Sequence, residues 1–230
     1  MPFYNCPYVP QAVQSALSQT YPHVEVIVVD DGSTSWRHLL DPFHRRIHIL
    51  GKANGGTASA LNHGMRLASG KYVAWLSSDD WFYPEKIAHQ VSFMEQAGLR
   101  MSCTDYHIIN ERNEMTAMHQ ALRFPSPKAY VASLLSLCPV NGCTVMMTRE
   151  LIAGLGWFNE AYPYAHDYEL WIRAALSGID MHFVDLPLTL YRRHSGMGTV
   201  RHRHAVAAEF ESIRAYYGYL LHDRIARTPG

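Results

Sequence analysis

The stretch VEVIVVDDGSTS, from Val24 to Ser35, decides the fold, because a run of mostly β-branched residues leads directly into two adjacent carboxylates and a glycine. Such a run predicts a buried strand. Two ionised carboxylates side by side repel each other. A chain that places Asp30 and Asp31 at the end of a strand therefore usually holds something there.

Strand-like and helix-like segments alternate around this stretch, which predicts an α/β fold with a mostly parallel, Rossmann-like sheet flanked by helices. Strands are predicted over 24–30, 46–50, 71–77 and 100–106, an apolar segment over 143–148, and helices over 8–19, 56–70, 84–98, 128–137, 166–178 and 204–221. The first and third of these strands run into acid pairs, Asp30 with Asp31 and Asp79 with Asp80. In open α/β sheets ligands bind at this edge, so both pairs are expected at the ends of neighbouring strands.

The first residues, MPFYNCPY, begin with a turn-like tetrapeptide where a doubly wound fold normally has a hydrophobic strand. The amino-terminal strand is therefore expected to be abbreviated, either in the protein or through a gene model that begins late. In a doubly wound sheet this strand would be central.

Composition indicates a globular protein with ample material for a core, since the 230 residues are 48% hydrophobic and 17% charged. Lys plus Arg equals Asp plus Glu at 20 each, which gives no sign of a nucleic-acid binder. The four cysteines form no CxxC pair, which disfavours a zinc site and a disulfide framework. No apolar run approaches the roughly 20 residues of a membrane span and no secretory leader is visible, so a cytoplasmic protein is expected.

The motif LSSDDWFYP, from Leu76 to Pro84, suits a divalent cation, because Mg²⁺ and Mn²⁺ prefer carboxylate ligands and keep positions open for phosphate oxygens. The alternative is that Asp79 or Asp80 caps the helix that begins near Pro84. The glycine-rich GKANGGTASALNHG, from Gly51 to Gly64, allows backbone amides to approach a phosphate or ribose. It is neither a Walker A loop nor GxGxxG.

Two later motifs carry further candidates. YAHDYELWIRAA, from 164 to 175, opens a helix in which Asp167 and Glu169 point in different directions. Asp167 could instead cap the helix, with Glu169 as a surface charge. YRRHSGMGT, from 191 to 199, could neutralise phosphate through Arg192, Arg193 and His194, or be a solvated loop.

Together these stretches resemble the family 2 inverting glycosyltransferases, whose nucleotide-sugar-binding domain is called GT-A. The resemblance follows the family's order over roughly residues 1–197, through MPFYN, SALSQTYPHVEVIVVDDGST, NGGTASALNHGMRLASGKYVAWLSSDDW, GWFNEAYPYAHDYELWIRA and YRRH. The chain departs from the family pattern at Ser77 and His166, where relatives usually carry Asp and Glu.

The resemblance implies a site made of two groups. Contacts to the nucleotide sugar are implied for Pro2, Tyr4, Asp30, Asp31, Asn54, Gly55, Asp79 and Arg192. Of these, Asp31 is implied to contact the uracil base of the nucleotide. A Mn²⁺ or Mg²⁺ ion on the diphosphate is implied at Asp79, Asp80 and His194. Asp167 is the implied general base, which takes a proton from the acceptor hydroxyl in a single displacement with inversion.

The resulting prediction is a GT-A domain over residues 1–200 with a carboxy-terminal helix over 201–230 packed on it. Its partners would be a UDP-sugar or another nucleoside-diphosphate sugar and a glycan or glycolipid acceptor, in the synthesis of a bacterial cell-surface polysaccharide. A homodimer contact and docking at the inner face of the membrane stay open for the last helix. The rival functions are an inactive nucleotide-sugar-binding or scaffold domain and a nucleotidyltransferase.

Overall fold

The computed structural model describes residues 1–228, which form an α/β fold with two sheets and flanking helices. The strands are β1 (Pro2–Phe3), β2 (Ile27–Asp30), β3 (His48–Gly51), β4 (Tyr72–Ala74), β5 (Trp81–Phe82), β6 (Met101–Ile109), β7 (Met115–Ala117), β8 (Met146–Thr148) and β9 (His182–Arg192). The α-helices are α1 (Val9–Leu17), α2 (Gly56–Leu67), α3 (Lys86–Ala97), α4 (Pro127–Ser133), α5 (Arg149–Gly154), α6 (His166–Leu176), α7 (Gly198–Arg201) and α8 (Arg203–Arg227).

The predicted α/β class is confirmed, but the mostly parallel sheet is not. The amino-terminal half forms a three-stranded parallel sheet of order β1-β2-β3. The second sheet has the order β4-β8-β6-β9-β5, with β7 beside β6, and only the β6 and β9 pair is parallel. Short returns such as the β6–β7 hairpin produce antiparallel neighbours, because a parallel neighbour needs a longer crossover.

The two acid pairs therefore do not follow neighbouring strands of one sheet, as the sequence predicted. Asp30 ends β2 in the parallel sheet, whereas Asp79 and Asp80 follow β4 and precede β5 in the mixed sheet. The two pairs are linked instead by the turn after β1. In that turn Asn5 contacts the loop after β2, and the Cys6 thiol donates to the Ser78 carbonyl, 3.3 Å away.

The abbreviated first strand is observed as the two residues of β1, which pair with Val29 and Asp30. In this structure β1 is an edge strand rather than a central one. Beside it lies a cavity of about 600 Å³ between β2 and β4. Its apolar lining includes Ile27, Leu61, Met65, Val73, Phe82 and Val91.

The longest strand, β9, was not predicted. A proline at position 187 speaks against a central strand, since it cannot donate a hydrogen bond to a neighbour. The structure accommodates Pro187 opposite Asp105, where the register between β6 and β9 shifts on both sides. Because the register is irregular at this bulge, the regular ladder does not require a hydrogen bond from residue 187. The strand therefore continues to Arg192, at the edge where the candidate site lies.

The carboxy-terminal helix α8 packs on α4 and α6 and buries Ile213 and Leu221. Its opposite face exposes Tyr216 and Tyr219, and the dimer contact and membrane dock predicted for it stay predictions. Pro229 and Gly230 of the predicted segment lie outside the described residues. Within residues 1–228 no helix combines the length and the apolar character that crossing a bilayer requires.

Lys86 is fully buried at the start of α3, where its ammonium group donates to Gln90 Oε1 at 2.6 Å and lies 4.2 Å from the centre of the Phe82 ring. Burial lowers the pKa of Lys86 to about 7, against about 10.4 in an unfolded chain. Above a pH of about 7 the unfolded chain thus binds a proton that the folded chain lacks. We expect Lys86 to add up to about 1.4 kcal/mol per pH unit to the free energy of unfolding as pH rises from about 7 to 10.

Lys86→Met is expected to remove this pH dependence, and urea unfolding between pH 7 and pH 9 measures it. Lys128→Met, at a partly exposed lysine in α4, is the matched control and should keep the wild-type slope. Equal slopes in the two variants would contradict the assignment.

Candidate active site

The loop after β2 is held in place by the turn after β1. The Asn5 side-chain oxygen accepts from the Thr34 and Ser35 amides at 2.9 and 2.7 Å. Gly32 has a φ of +78°, and a Cβ there would lie 2.9 Å from the backbone nitrogen of Asn54. Any other residue would thus be strained and would push against the neighbouring loop. The sequence DGST folds this way because glycine allows the tight turn and Asn5 fixes its far side.

Asp30 and Asp31 are both buried, and each is bound to the protein. Asp30 Oδ1 accepts from the Ser33 amide and Oδ2 from Arg37 Nε, at 2.9 and 3.0 Å. Asp31 Oδ1 lies 2.7 Å from Lys52 Nζ, in an ion pair that is largely shielded from solvent. The predicted contacts of both residues with a nucleotide stay predictions, and the structure gives both a role in shaping the loops.

The glycine-rich loop is attached to Asp31. The amides of Gly55 and Gly56, at the start of α2, donate to the Asp31 carboxylate at distances of 2.7 to 3.2 Å. The Asn54 amide group donates to the Asp31 carbonyl at 2.9 Å, and both Asn54 and Gly55 are exposed. Asp31 is thus a negative charge at a helix amino terminus, where such a charge is favourable. Asn54 and Gly55 beside it are exposed to solvent.

The predicted base-packing residues differ in their exposure. Tyr4 is 53% exposed, directly beside the loop that Asn5 holds, so its ring is free to cover a planar ligand. Pro2 is partly buried in β1, opposite Val29. The placement of Tyr4 is compatible with the predicted contact, whereas Pro2 belongs to the sheet.

Asp79 and His194 come together although 115 residues separate them in the chain. His194 Nε2 lies 2.9 Å from Asp79 Oδ2, and the two side chains keep 14% and 23% of their surface exposed. The Tyr8 ring packs edge-on against His194, with the ring centres 5.3 Å apart. Asp79 therefore does not cap α3, whose N-cap is Glu85. The pair offers a carboxylate oxygen and an imidazole nitrogen at a partly exposed position.

Arg192 does not reach a ligand, contrary to the prediction. Its side chain is fully buried at the end of β9 and lies 4.3 Å from the centre of the Tyr8 ring. The guanidinium donates to Asp79 O, Asn110 O, Asn113 Oδ1 and Gln11 Oε1, at 2.7 to 3.0 Å. These four bonds leave it no free face for a phosphate. Arg192 instead holds the backbone at Asp79.

Asp80 is likewise not placed as a metal ligand. It is 1% exposed, and its Oδ1 accepts from the Arg192 amide at 2.9 Å, while Oδ2 has no partner. Burial, together with the neighbouring charge of Asp79, raises the pKa of Asp80 well above its usual value. The Cys143 thiol lies beside this carboxyl group and 3.2 Å from Ser77 Oγ. Asp80 thus ties the motif to β9 from inside the fold.

Asp167 lies in the first turn of α6, and its Oδ1 accepts from the Tyr168 amide at 2.7 Å. Its position in a recess raises the pKa of the carboxyl group above its usual value, because burial disfavours the charged form. It is not the N-cap, which is Ala165. Glu169 is not a surface charge either, since it is 1% exposed and binds Arg173 at 2.7 Å. Of the two acids only Asp167 is partly exposed.

His166 connects Asp167 to the acid motif after β4. The His166 ring is 5% exposed, packs at 5.3 Å from the Trp75 ring, and has no hydrogen-bond partner on either nitrogen. Burial lowers the pKa of His166, so the imidazole is neutral at pH 7. Trp75 precedes Ser77 and Asp79 by two and four residues and packs so closely on Gly142 that a Cβ there would lie 2.0 Å from its ring. These contacts place the start of α6 beside Trp75, the residue that follows β4.

Sequence reasoning missed several residues of the site. Lys52 and Asn5 lie within motifs quoted above, GKANGG and MPFYN, but only their position beside DDGS in the fold indicates their role. The thiol of Cys143 and the ring of Tyr8 carry no signal in the sequence. Among the described residues no group of three or more His, Cys, Asp or Glu side chains is placed to hold a metal ion without other ligands.

Comparison with known proteins shows one consistent family. The family described as Glycosyl transferase family 2 matches residues 1–155. The Escherichia coli protein named UDP-Glc:alpha-D-GlcNAc-diphosphoundecaprenol beta-1,3-glucosyltransferase WfaP is 34% identical over 200 residues, which cover 84% of this chain and 75% of that protein. An uncharacterized glycosyltransferase of Rickettsia felis is 31% identical over 237 residues, which cover 97% of this chain. The chain spans only 38% of that relative's length.

Solved structures show the same fold. Staphylococcus aureus TarS superimposes with a TM-score of 0.72 at 18% identity, over 94% of this chain and 38% of TarS. Residues 1–349 of TarS in complex with UDP-GlcNAc give a TM-score of 0.69 at 20% identity, over 85% of this chain and 58% of that one.

Proposed function

The chain belongs to glycosyltransferase family 2, and from this premise we propose that it is a metal-dependent inverting glycosyltransferase. It would move a sugar from a UDP-sugar to a hydroxyl group of a glycan or glycolipid acceptor. The observation that carries the proposal is the contact of 2.9 Å between Asp79 and His194, contributed by two distant motifs. Both residues lie beside the turn that holds the DGST loop in place.

The donor side is supported by the surfaces around Asp31. Tyr4 offers an exposed ring, and Asn54 and Gly55 are exposed at the start of α2. The Gly55 and Gly56 amides are already bound by Asp31, whose negative charge Lys52 neutralises. The planar base of a nucleoside matches the aromatic face of Tyr4. TarS, which shares the fold, binds UDP and UDP-GlcNAc.

A divalent cation fits the donor set of Asp79 and His194. A carboxylate oxygen and an imidazole nitrogen suit Mn²⁺, and the carboxylate suits Mg²⁺. Two protein ligands leave several positions for diphosphate oxygens. When bound, the ion would supply positive charge to the leaving diphosphate. Because both side chains are buried, we assign neither Asp80 as a ligand of the ion nor Arg192 as a partner of the diphosphate. Asp80 instead accepts from the Arg192 amide, and Arg192 donates to the Asp79 carbonyl.

Asp167 is proposed as the general base. Its carboxylate takes the proton of the acceptor hydroxyl as the hydroxyl oxygen attacks the anomeric carbon and the bond to the diphosphate breaks. One displacement inverts the anomeric configuration. The neutral imidazole of His166 adds no positive charge beside Asp167, and a raised pKa makes the carboxylate a stronger base than an exposed one.

The acceptor class follows from the relatives. Two Escherichia coli relatives, WfaP and WfgD, are named for action on alpha-D-GlcNAc-diphosphoundecaprenol, and a Bacillus subtilis relative is named for teichuronic acid biosynthesis. We propose a polyprenyl-diphosphate-linked glycan of the bacterial cell surface as acceptor. An inactive nucleotide-sugar-binding domain is the remaining alternative, because Ser77 and His166 replace the family's usual acids.

A thermal-shift series tests donor and metal together. UDP, UDP-sugars, GDP-sugars and dTDP-sugars are added with and without Mn²⁺. A ligand at 100 times its Kd stabilises the folded state by about 2.7 kcal/mol, so UDP-sugars with Mn²⁺ should raise Tm by about 5 °C or more. Asp79→Asn should abolish the Mn²⁺-dependent part, whereas Asp223→Asn, at an exposed carboxylate of α8, should keep it. A rise in Tm of the same size with and without Mn²⁺ would contradict metal dependence. The absence of a rise in Tm with every nucleotide would contradict the proposed donor class.

A further inference from the structure

The amino terminus of α6 is capped from outside by α8. Glu209 Oε2 accepts from the backbone amides of Tyr164 and Ala165, at 2.9 and 2.8 Å. Ala165 is the N-cap of α6 and has no side chain that could accept a hydrogen bond. The first amides of a helix lack partners within the helix. Glu209 supplies the missing acceptor, and its negative charge is favourable at this end of the helix.

These capped amides lie directly before the residue that matters for the chemistry. Asp167 is two residues after Ala165 and takes its orientation from the first turn, in which its own Oδ1 accepts from the Tyr168 amide. Tyr164 also stacks on His202, with ring centres 4.8 Å apart, which fastens the same segment to the start of α8. Glu209 and His202 therefore both fix the end of the loop before α6, and Glu209 is the one that binds its backbone amides.

The rest of α8 keeps Glu209 in register with α6. The Phe210 and Tyr168 rings stack at 4.5 Å, and the Tyr217 hydroxyl donates to Glu169 Oε1 at 2.7 Å. At the far end Arg224 Nε donates to a carbonyl in the last turn of α6, 3.0 Å away. Contacts thus run along the whole of α6, and Glu209 is the contact next to the recess. All of them lie outside residues 1–155, the part matched by the family.

We propose that Glu209 is a positioning residue for the transfer reaction, which holds the first turn of α6 so that the Asp167 carboxylate points at the acceptor hydroxyl. The inference rests on the proposed function, in which Asp167 is the base. Glu209 binds the backbone amides of Tyr164 and Ala165 and has no assigned role in donor or metal binding, so its loss should affect the chemical step and leave donor binding unchanged.

The test compares three variants at the same helix. Glu209→Ala removes the acceptor of both amides and should lower kcat by about 10- to 100-fold, as expected when a reacting group is misplaced by about 1 Å. The donor KM and the UDP-induced thermal shift should stay at wild-type values. Glu209→Gln keeps an oxygen that can accept both bonds and should retain most of the rate. Glu211→Ala is the matched control, because Glu211 lies two residues further along α8 and its side chain is 76% exposed.

A double-mutant cycle decides whether Glu209 acts through Asp167. Glu209→Ala in an Asp167→Asn background should cause little further loss, because the group that it positions is gone. An equal loss in both backgrounds would overturn the proposal. A lower Tm with kcat unchanged would also overturn it, since it would assign Glu209 a purely structural role. If wild-type protein shows neither a UDP-induced shift nor transfer, the proposed function fails instead, and that outcome is read from the wild type alone.

Discussion

Replacing Asp167 by Asn is expected to lower kcat for sugar transfer by about 10²- to 10⁴-fold, the usual contribution of a positioned general base. The amide has the shape of the carboxylate and can keep the bond from the Tyr168 amide, so the first turn of α6 should be preserved. What it loses is the ability to accept a proton from the acceptor hydroxyl. Because burial raises the pKa of Asp167, wild-type kcat should rise with pH through a pKa above that of an exposed aspartate.

The measurement is steady-state transfer of radiolabelled sugar from the UDP-sugar that gives the largest thermal shift, over a range of pH. The donor KM and the nucleotide-induced shift should change little, because Asp167 contacts the acceptor in the proposed mechanism. Asp41→Asn, at an exposed aspartate outside the site, is the control and should leave kcat unchanged. Wild-type activity in Asp167→Asn would mean that the base lies elsewhere.

The sequence predicted the elements that local pattern determines. The β-branched run before Asp30 produced β2, and the helical repeat around Val13 produced α1, since each buries one face of a periodic segment. The acid motif at Asp79 was placed correctly beside a strand end, because a buried strand followed by carboxylates is a local signal. These predictions needed no knowledge of what lies across the fold.

The sequence could not predict which polar groups face a ligand. Arg192 and His194 stand two residues apart in one basic stretch, yet Arg192 is completely buried and His194 contacts Asp79 at a partly exposed position. Alternation along β9 and the turn after it decide this, and β9 itself was hidden by Pro187. The same holds for Asp79 and Asp80, of which one is partly exposed and the other is buried and binds the Arg192 amide.

Contacts between distant segments were also beyond reach. Glu209 lies in a helix for which the sequence predicted only that it packs on the domain, and its two bonds to the start of α6 depend on how α8 packs. The division into two sheets depends equally on long-range pairing, because β4 finds its partner in β8, more than 70 residues later. Neither arrangement leaves a periodic signal in the local sequence.

Adding five apolar β-branched residues in front of Met1 is expected to raise the free energy of unfolding by a few kcal/mol. The cavity of about 600 Å³ beside β2 is continuous with Met1, whose carbonyl accepts from the Val29 amide and whose amine donates to the Ile27 carbonyl, both at 2.8 Å. Residues added there would extend β1 along β2. Each apolar side chain that becomes buried contributes about 1.5–3 kcal/mol, against about 1.5 kcal/mol of conformational entropy per ordered residue.

The same extension converts a buried amine into an ordinary peptide group. Burial lowers the pKa of the Met1 amine to about 5, from about 8 in the unfolded chain. The unfolded chain therefore binds the extra proton between these values, and the free energy of unfolding rises with pH through this window. Extended variants should lose this pH dependence, because a peptide N–H carries no charge and still donates to Ile27.

Urea unfolding between pH 5 and pH 8 measures both effects, and an extension of five Gly and Ser residues is the matched control. The control removes the titratable amine from the cavity but supplies no apolar side chains, so it should share the loss of pH dependence and not the gain in stability. The apolar extension should also increase the m-value, since more surface is exposed on unfolding. If both extensions unfold at the same urea concentration, the cavity does not accept added strand residues, and the predicted extension of β1 along β2 is wrong.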